Sequence, residues 1–206
     1  MTADSAFGGH MQFPINLNLV GRTVLVVGAG RIATRKAQQL VPCGADITVI
    51  APHVVPEMRD LPVTILEREY AAGDALGFRL VITATGNVEV DQAIYDECEA
   101  AGIWVNSADD PERCSFTLPA VVRRGSLMVT SSTAGASPAL SSWIRARLDE
   151  MLDDELADLV SDLATERARV HARGESTEDV VWAPIIEELA TKRGIRFGRH
   201  LSEAAR

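Results

Sequence analysis

The sequence predicts an α/β fold: a parallel sheet with crossover helices, then a small α+β region and a helical C-terminal region. Three observations carry this. The run Thr23–Val27 leads into Gly28-Ala29-Gly30 and then into helix-like spacing. Strand and helix signals alternate from Pro14 to about Asp110, which implies parallel strands with crossovers. Beyond that point two strand-like runs lie close together and helical patterns fill the rest.

The glycine turn is the signature of a Rossmann-type dinucleotide-binding unit when it joins a strand to a helix. Gly28 permits the tight turn, and Gly30 lets the backbone approach a pyrophosphate. Ala33 stands where a third glycine often sits and still allows a helix to pack closely on a strand. The helix N-terminus offers unpaired N–H groups and partial positive charge to phosphates.

The elements follow in order. Thr23–Val27 is the first strand and Arg31–Val41 the first helix, ended by Cys43-Gly44. Asp46–Ile50 and Val63–Leu66 read as strands, and Leu80–Ala84 as a strand covered on both faces. Val88–Ala101 has helical spacing and stops at Gly102; Ile103–Asn106 is a short strand. Phe116–Val122 and Ser126–Ser132 predict a hairpin. Ser137 suits a cap and Pro138 a first helical residue, so a helix should run to about Leu152. Two more helices are expected at about Asp154–Arg173 and Glu178–Arg193.

Bulk properties narrow the function. A net charge of −9 argues against nucleic-acid binding through phosphates. No apolar run approaches a membrane span, and the N-terminus lacks a secretory pattern. Three widely spaced cysteines suit a reducing compartment, so a cytoplasmic protein is expected. The four histidines show no ligand spacing, and no resident metal site is expected.

The block from Val105 to Leu148 adds a second signature. It holds Asn106 followed by Asp109, then Ser115-Phe116, Pro119-Ala120 and the stretch Ser131–Pro138. With Gly28-Ala29-Gly30, Ala33, Arg35 and Lys36, it resembles the siroheme synthase dehydrogenase/ferrochelatase family, the precorrin-2 dehydrogenases. The resemblance implies NAD-dependent oxidation of the tetrapyrrole precorrin-2 to sirohydrochlorin, in a siroheme or cobalamin route, by a homodimer. Some members also insert Fe2+ as a substrate, and the resemblance leaves that open. With the small, polar residues 1–12 read as a flexible arm and the tail (151–206) as a helical C-terminal region, the resemblance implies a Rossmann-type NAD-binding domain (13–113) and a dimerisation and substrate region (114–150).

Asp109 aligns with the family's aspartate, on a loop leaving a sheet strand, and is the expected catalytic carboxylate. Its alternative role is to cap a turn before Pro111, a role that also suits Asp110. Expected cofactor residues are Gly28, Gly30, Arg31, Ile32, Pro52, His53, Thr83 and Thr85. Arg31 also reads as a plain exposed first-turn arginine, and the two threonines as packing or turn residues. After Ile50 there is neither the acid that holds the ribose of NAD nor an arginine for a 2′-phosphate, so NAD is implied by the resemblance. Asn106, Ser132, Thr133 and Gly135 are the expected substrate contacts, with helix capping as the alternative for Thr133. Two other functions compete: an NAD-sensing regulatory domain without catalysis, and a family member that only chelates.

Overall fold

The computed structural model describes residues 11–108 and 110–195. The expected arm therefore lies, through residue 10, outside the described residues. Contacts divide the chain into two units. One holds the chain up to Leu118 together with Ala134–Ala136; the other holds Pro119–Thr133 and the chain from Ser137 onward.

The first unit runs β1 (Thr23–Val27), α1 (Arg31–Leu40), β2 (Asp46–Ile50), α2 (Pro56–Arg59), β3 (Thr64–Leu66), β4 (Leu80–Thr83), α3 (Val88–Ala101) and β5 (Trp104–Ser107). The sheet order is β3-β2-β1-β4-β5, and every pairing is parallel. This is the Rossmann-type sheet expected from the alternating pattern. Side chains alternate across it. Val24 and Val26 enter a core with Ala33, Ala37 and Val49. Leu25 and Val27 enter another with Val81, Ile94, Cys98 and Val105. Burial on both faces explains why these strands read as near-continuous apolar runs. Each fully buried Val, Leu or Ile contributes about 1.5–3 kcal/mol. Ala33 and Ala37 are fully buried, so α1 lies close on the sheet, as the substitution of Ala for a third glycine allows.

The helix ends have identifiable causes. Asn87 caps α3, its side chain accepting from the N–H groups of Glu89 at 3.0 Å and Val90 at 3.3 Å. Gly102 closes the helix at φ 67°.

The second unit pairs β6 (Ala120–Arg124) antiparallel with β7 (Leu127–Ser131), followed by α4 (Pro138–Met151), α5 (Glu155–Ala172) and α6 (Trp182–Lys192). Its core joins Leu156, Leu159 and Ala190, with Leu127, Leu163 and Leu189 packed around them. Arg193 fastens the end of α6 to α5, donating to Asp158 at 2.9 Å and to both oxygens of Asp162 at 2.6 and 3.0 Å. Ser137 caps α4 as expected, accepting from the Leu140 N–H at 3.2 Å.

The short helix α2 is not expected from the sequence. Two elements begin four residues later than the sequence reading places them, and proline explains both. The first hairpin strand begins at Ala120 and not Phe116, because Pro119 has no N–H for a ladder and fits only at a strand's margin. The last helix begins at Trp182 and not Glu178. Pro184 is then its third residue, where no intrahelical N–H bond is needed; four residues later it would break the helix.

Candidate active site

The sheet places its strand ends so that a crevice forms where the order reverses. The chain leaves β1 toward β2 and β3, and then returns to the other side of β1 as β4 and β5. Ligands of such sheets bind beyond the carboxyl ends of the strands at this switch point. A cleft of about 500 Å³ lies there. Its wall takes Gly30 from the turn after β1, Arg31 and Ile32 from the start of α1, Thr85 and Gly86 from after β4, Ser107 from the end of β5 and Asp110 from after it.

Gly28 and Gly30 are required for different reasons. Gly28 has φ 102°, and a Cβ there would overlap the backbone carbonyl of Ala84. It makes the turn possible. Gly30 has φ −83° and no heavy atom within 4 Å of where its Cβ would lie. Folding does not demand a glycine there, and the bare backbone leaves open space at the cleft wall. As N-cap of α1, Gly30 supplies no side-chain cap, and the first turn carries no acid. The N–H groups of that turn thus keep the unpaired state and partial positive charge that suit an anion. The sequence fits a pyrophosphate cradle.

Arg31 is exposed and Ile32 half-buried, and both line the cleft. Pro52 and His53 are exposed on the loop after β2. They are not part of the cleft wall, but their loop is fastened to the glycine turn. The Gly28 N–H donates to Ile50 O at 2.8 Å and the Val55 N–H to Ala29 O at 3.2 Å.

The two threonines after β4 separate. Thr85 lines the cleft; its hydroxyl donates to Oδ1 of Asp91 at 2.7 Å and accepts from the Asn87 N–H at 3.0 Å. Thr83 is fully buried, lies beneath the cleft, and donates its hydroxyl to the same Oδ1. Packing, the competing reading of Thr83, describes its position. Asp91 itself is 8% exposed, sits in the first turn of α3 and lines the cleft. It is not among the residues singled out from the sequence. The available signal was an acid in the first turn of the helix that follows a Thr-x-Thr strand exit.

Asp109 lies outside the described residues. Its sequence neighbours Ala108 and Asp110 both line the cleft. Asp110 serves the turn, as its competing reading held. Its Oδ1 accepts from the Glu112 N–H at 3.1 Å, and its Oδ2 pairs with Arg113 at 2.6 Å. Arg113 also donates to Gln92 at 2.8 Å.

Among the expected substrate residues, Asn106 belongs to the first unit and is 6% exposed. Its amide donates to Phe116 O at 2.9 Å and to Cys114 Sγ at 3.3 Å, while its Oδ1 finds no hydrogen-bond partner among the described residues. Burial pushes the Cys114 thiol up. Ser132 and Thr133 belong to the second unit. Thr133 Oγ1 accepts from the Ser137 N–H at 2.9 Å and shares a bond with Ser141 Oγ at 3.3 Å, so the hydroxyl serves the entry to α4. Gly135 has φ 82°, and Ala134 before it has φ 50°, an uncommon conformation for a residue with a Cβ.

Comparison with known proteins agrees with this geometry. A family described as "Putative NAD(P)-binding" matches residues 15–120, about half of the chain. The siroheme synthase of Stutzerimonas stutzeri is 35% identical over 201 residues, which cover 92% of this chain and 43% of that protein. The siroheme synthase of Chromobacterium violaceum is 40% identical over 144 residues, covering 68% of this chain and 31% of that protein. The chain thus spans less than half the length of these curated relatives. Among solved structures, SirC, a precorrin-2 dehydrogenase, is similar with a TM-score of 0.69 and 25% identity, over 90% of this chain and 100% of that one. The resemblance carried by the motifs at the glycine turn and at residues 105–148 is borne out by these relatives.

Proposed function

This chain belongs to the NAD(P)-binding family, and on that premise we propose that it oxidises precorrin-2 to sirohydrochlorin with NAD. One observation carries the cofactor part: the crevice at the β1/β4 switch point, edged by an uncapped helix N-terminus and a glycine whose side-chain space is left open. The substrate part rests on likeness to the siroheme synthases and to the precorrin-2 dehydrogenase SirC.

Bound in this crevice, NAD supplies the hydride acceptor. The chain's own residues do the rest. The α1 N-terminus holds the pyrophosphate through backbone N–H groups, with Gly28 shaping the turn and Gly30 giving access. Arg31 adds a positive charge beside it, and Ile32 an apolar wall. The loop of Pro52 and His53 faces the adenosine side, and Thr85 borders the opposite side.

Oxidation removes a hydride and a proton from the substrate. Asp109 is the residue we assign to the proton, since its sequence neighbours Ala108 and Asp110 line the cleft and a carboxylate can accept a proton. Asn106, Ser132, Thr133 and Gly135 are assigned to the polycarboxylate tetrapyrrole. The segment 114–150 is assigned to substrate contact and dimerisation, which Trp143 supports: it is 59% exposed on α4, with the Arg147 guanidinium 5.4 Å from its ring centroid. A cytoplasmic protein is the matching location; among the described residues no helix is long and apolar enough to cross a membrane.

The test is direct. Purified protein, precorrin-2 and NAD⁺ are mixed without added metal, and the absorbances of NADH and sirohydrochlorin are followed. Matched growth of both supports the proposal. Asp109→Asn should lower turnover by about 10²–10⁴-fold, the usual contribution of a general base, while leaving NAD⁺ affinity unchanged. NAD⁺ binding without turnover in the wild type would overturn the dehydrogenase reading.

A further inference from the structure

Two groups on the floor of the cleft are more polar than the fold requires. Ser107 ends β5, is 3% exposed and lines the cleft. Its hydroxyl oxygen has no hydrogen-bond partner among the described residues. A buried hydroxyl left unpaired costs about 1–3 kcal/mol, and native proteins rarely keep one without use. Asp91 is the second group. It is a buried carboxylate whose Oδ1 is fixed by the hydroxyls of Thr83 and Thr85, on the same cleft wall.

Sheet topology says which part of the cofactor these two would meet. The glycine turn at the end of β1 takes the pyrophosphate, and the dinucleotide spans the crevice on either side. The β2 exit lies on the adenosine side. Thr85 and Asp91 follow β4 and Ser107 ends β5, on the other side of β1, so they face the nicotinamide nucleoside. Of the other charged residues on this wall, Arg113 is paired with Asp110 at 2.6 Å, and Arg31 is exposed at the pyrophosphate end. Among the described residues of this wall, Asp91 is the buried carboxylate on the nicotinamide half.

We propose that Asp91 and Ser107 form the nicotinamide-side recognition site, with Ser107 bonding the nucleoside and Asp91 favouring the oxidised cofactor over the reduced one. This rests on the cofactor reading above. The nicotinamide ring carries a positive charge when oxidised and none when reduced. A fixed, buried carboxylate attracts the first and is indifferent to the second. The bias loads the oxidant and frees the reduced product, the direction an oxidising enzyme needs.

The experiment measures dissociation constants of NAD⁺ and NADH by titration calorimetry on the full chain. Wild type, Asp91→Asn and Ser107→Ala are compared, each with its thermal unfolding midpoint. Ser107→Ala removes a hydroxyl that no described residue bonds, so its midpoint should hold or rise while both forms bind about fivefold more weakly. Asp91→Asn keeps an oxygen for the two threonine hydroxyls and loses the charge. It should bind NAD⁺ about tenfold more weakly and NADH nearly as before. Equal weakening of both forms by Asp91→Asn, or unaltered affinity in Ser107→Ala, would overturn the inference while the cofactor reading stands. A wild type that binds neither form would overturn the cofactor reading and this inference with it.

Discussion

The Thr85 hydroxyl donates to Oδ1 of Asp91 at 2.7 Å and so joins the loop after β4 to the first turn of α3. Thr83 reaches the same oxygen from below. Replacing either hydroxyl by a methyl keeps the shape and takes one donor from a buried carboxylate. Thr85→Val and Thr83→Val should each cost about 1–3 kcal/mol in urea unfolding, with Thr83→Val the larger because its site is fully buried. A double-mutant cycle between Thr83 and Asp91 should show coupling; additive losses would mean the bond contributes nothing.

The two glycines of the turn should part company on substitution. Gly28→Ala forces a side chain into the Ala84 carbonyl at positive φ and should cost at least about 3 kcal/mol. Gly30→Ala meets no atom and should cost no more than about 1 kcal/mol, the usual loss for alanine at a helix cap. Its NAD⁺ affinity should nevertheless fall about tenfold or more, because the methyl occupies space that phosphate needs. Denaturation and calorimetry on the same samples separate the two effects.

Asn87 holds the N-terminus of the helix that carries Asp91. Asn87→Ala removes bonds to the N–H groups of Glu89 and Val90 and should cost about 1 kcal/mol. Hydrogen exchange should quicken at those two amides and stay slow near Cys98, at the packed end of the helix.

Cys98 is fully buried against Leu25 and Val105, and its thiol is pushed up from 9.0 to about 12, by burial first and by Glu97 and Glu99 next. The unfolded thiol ionises at the lower value and the folded one at the higher. Its contribution to stability is therefore complete below the unfolded value and is lost as pH rises from about 9 to about 12. Unfolding free energy should decline over that window, and less steeply in Cys98→Ala. Parallel slopes in the two proteins would count against the assignment.

Much of this was legible because period and punctuation agree in the first unit. Thr23–Val27, Asp46–Ile50 and Val88–Ala101 lie where apolar runs and helical spacing place them. The shifts at Ala120 and Trp182 came from weighing hydrophobic pattern above Pro119 and Pro184, residues whose missing N–H overrides pattern. The glycine turn was legible because its constraint is local. Asp91 and Ser107 were not, because nothing in a linear pattern says that a helix's first turn and a strand's last residue share one cleft. That convergence is set by the parallel pairing of β4 with β5.

The two backbone bonds that stitch the loop after β2 to the glycine turn have a practical corollary for redesign. They fix the main chain of residues 51–55 through Ile50, Ala29 and Val55, while the side chains of Pro52 and His53 remain exposed. Scaffold and selectivity are thus separable at this corner. An arginine or an aspartate grafted at position 53 would retune the choice between phosphorylated and plain cofactor while the anchor beneath it stays still.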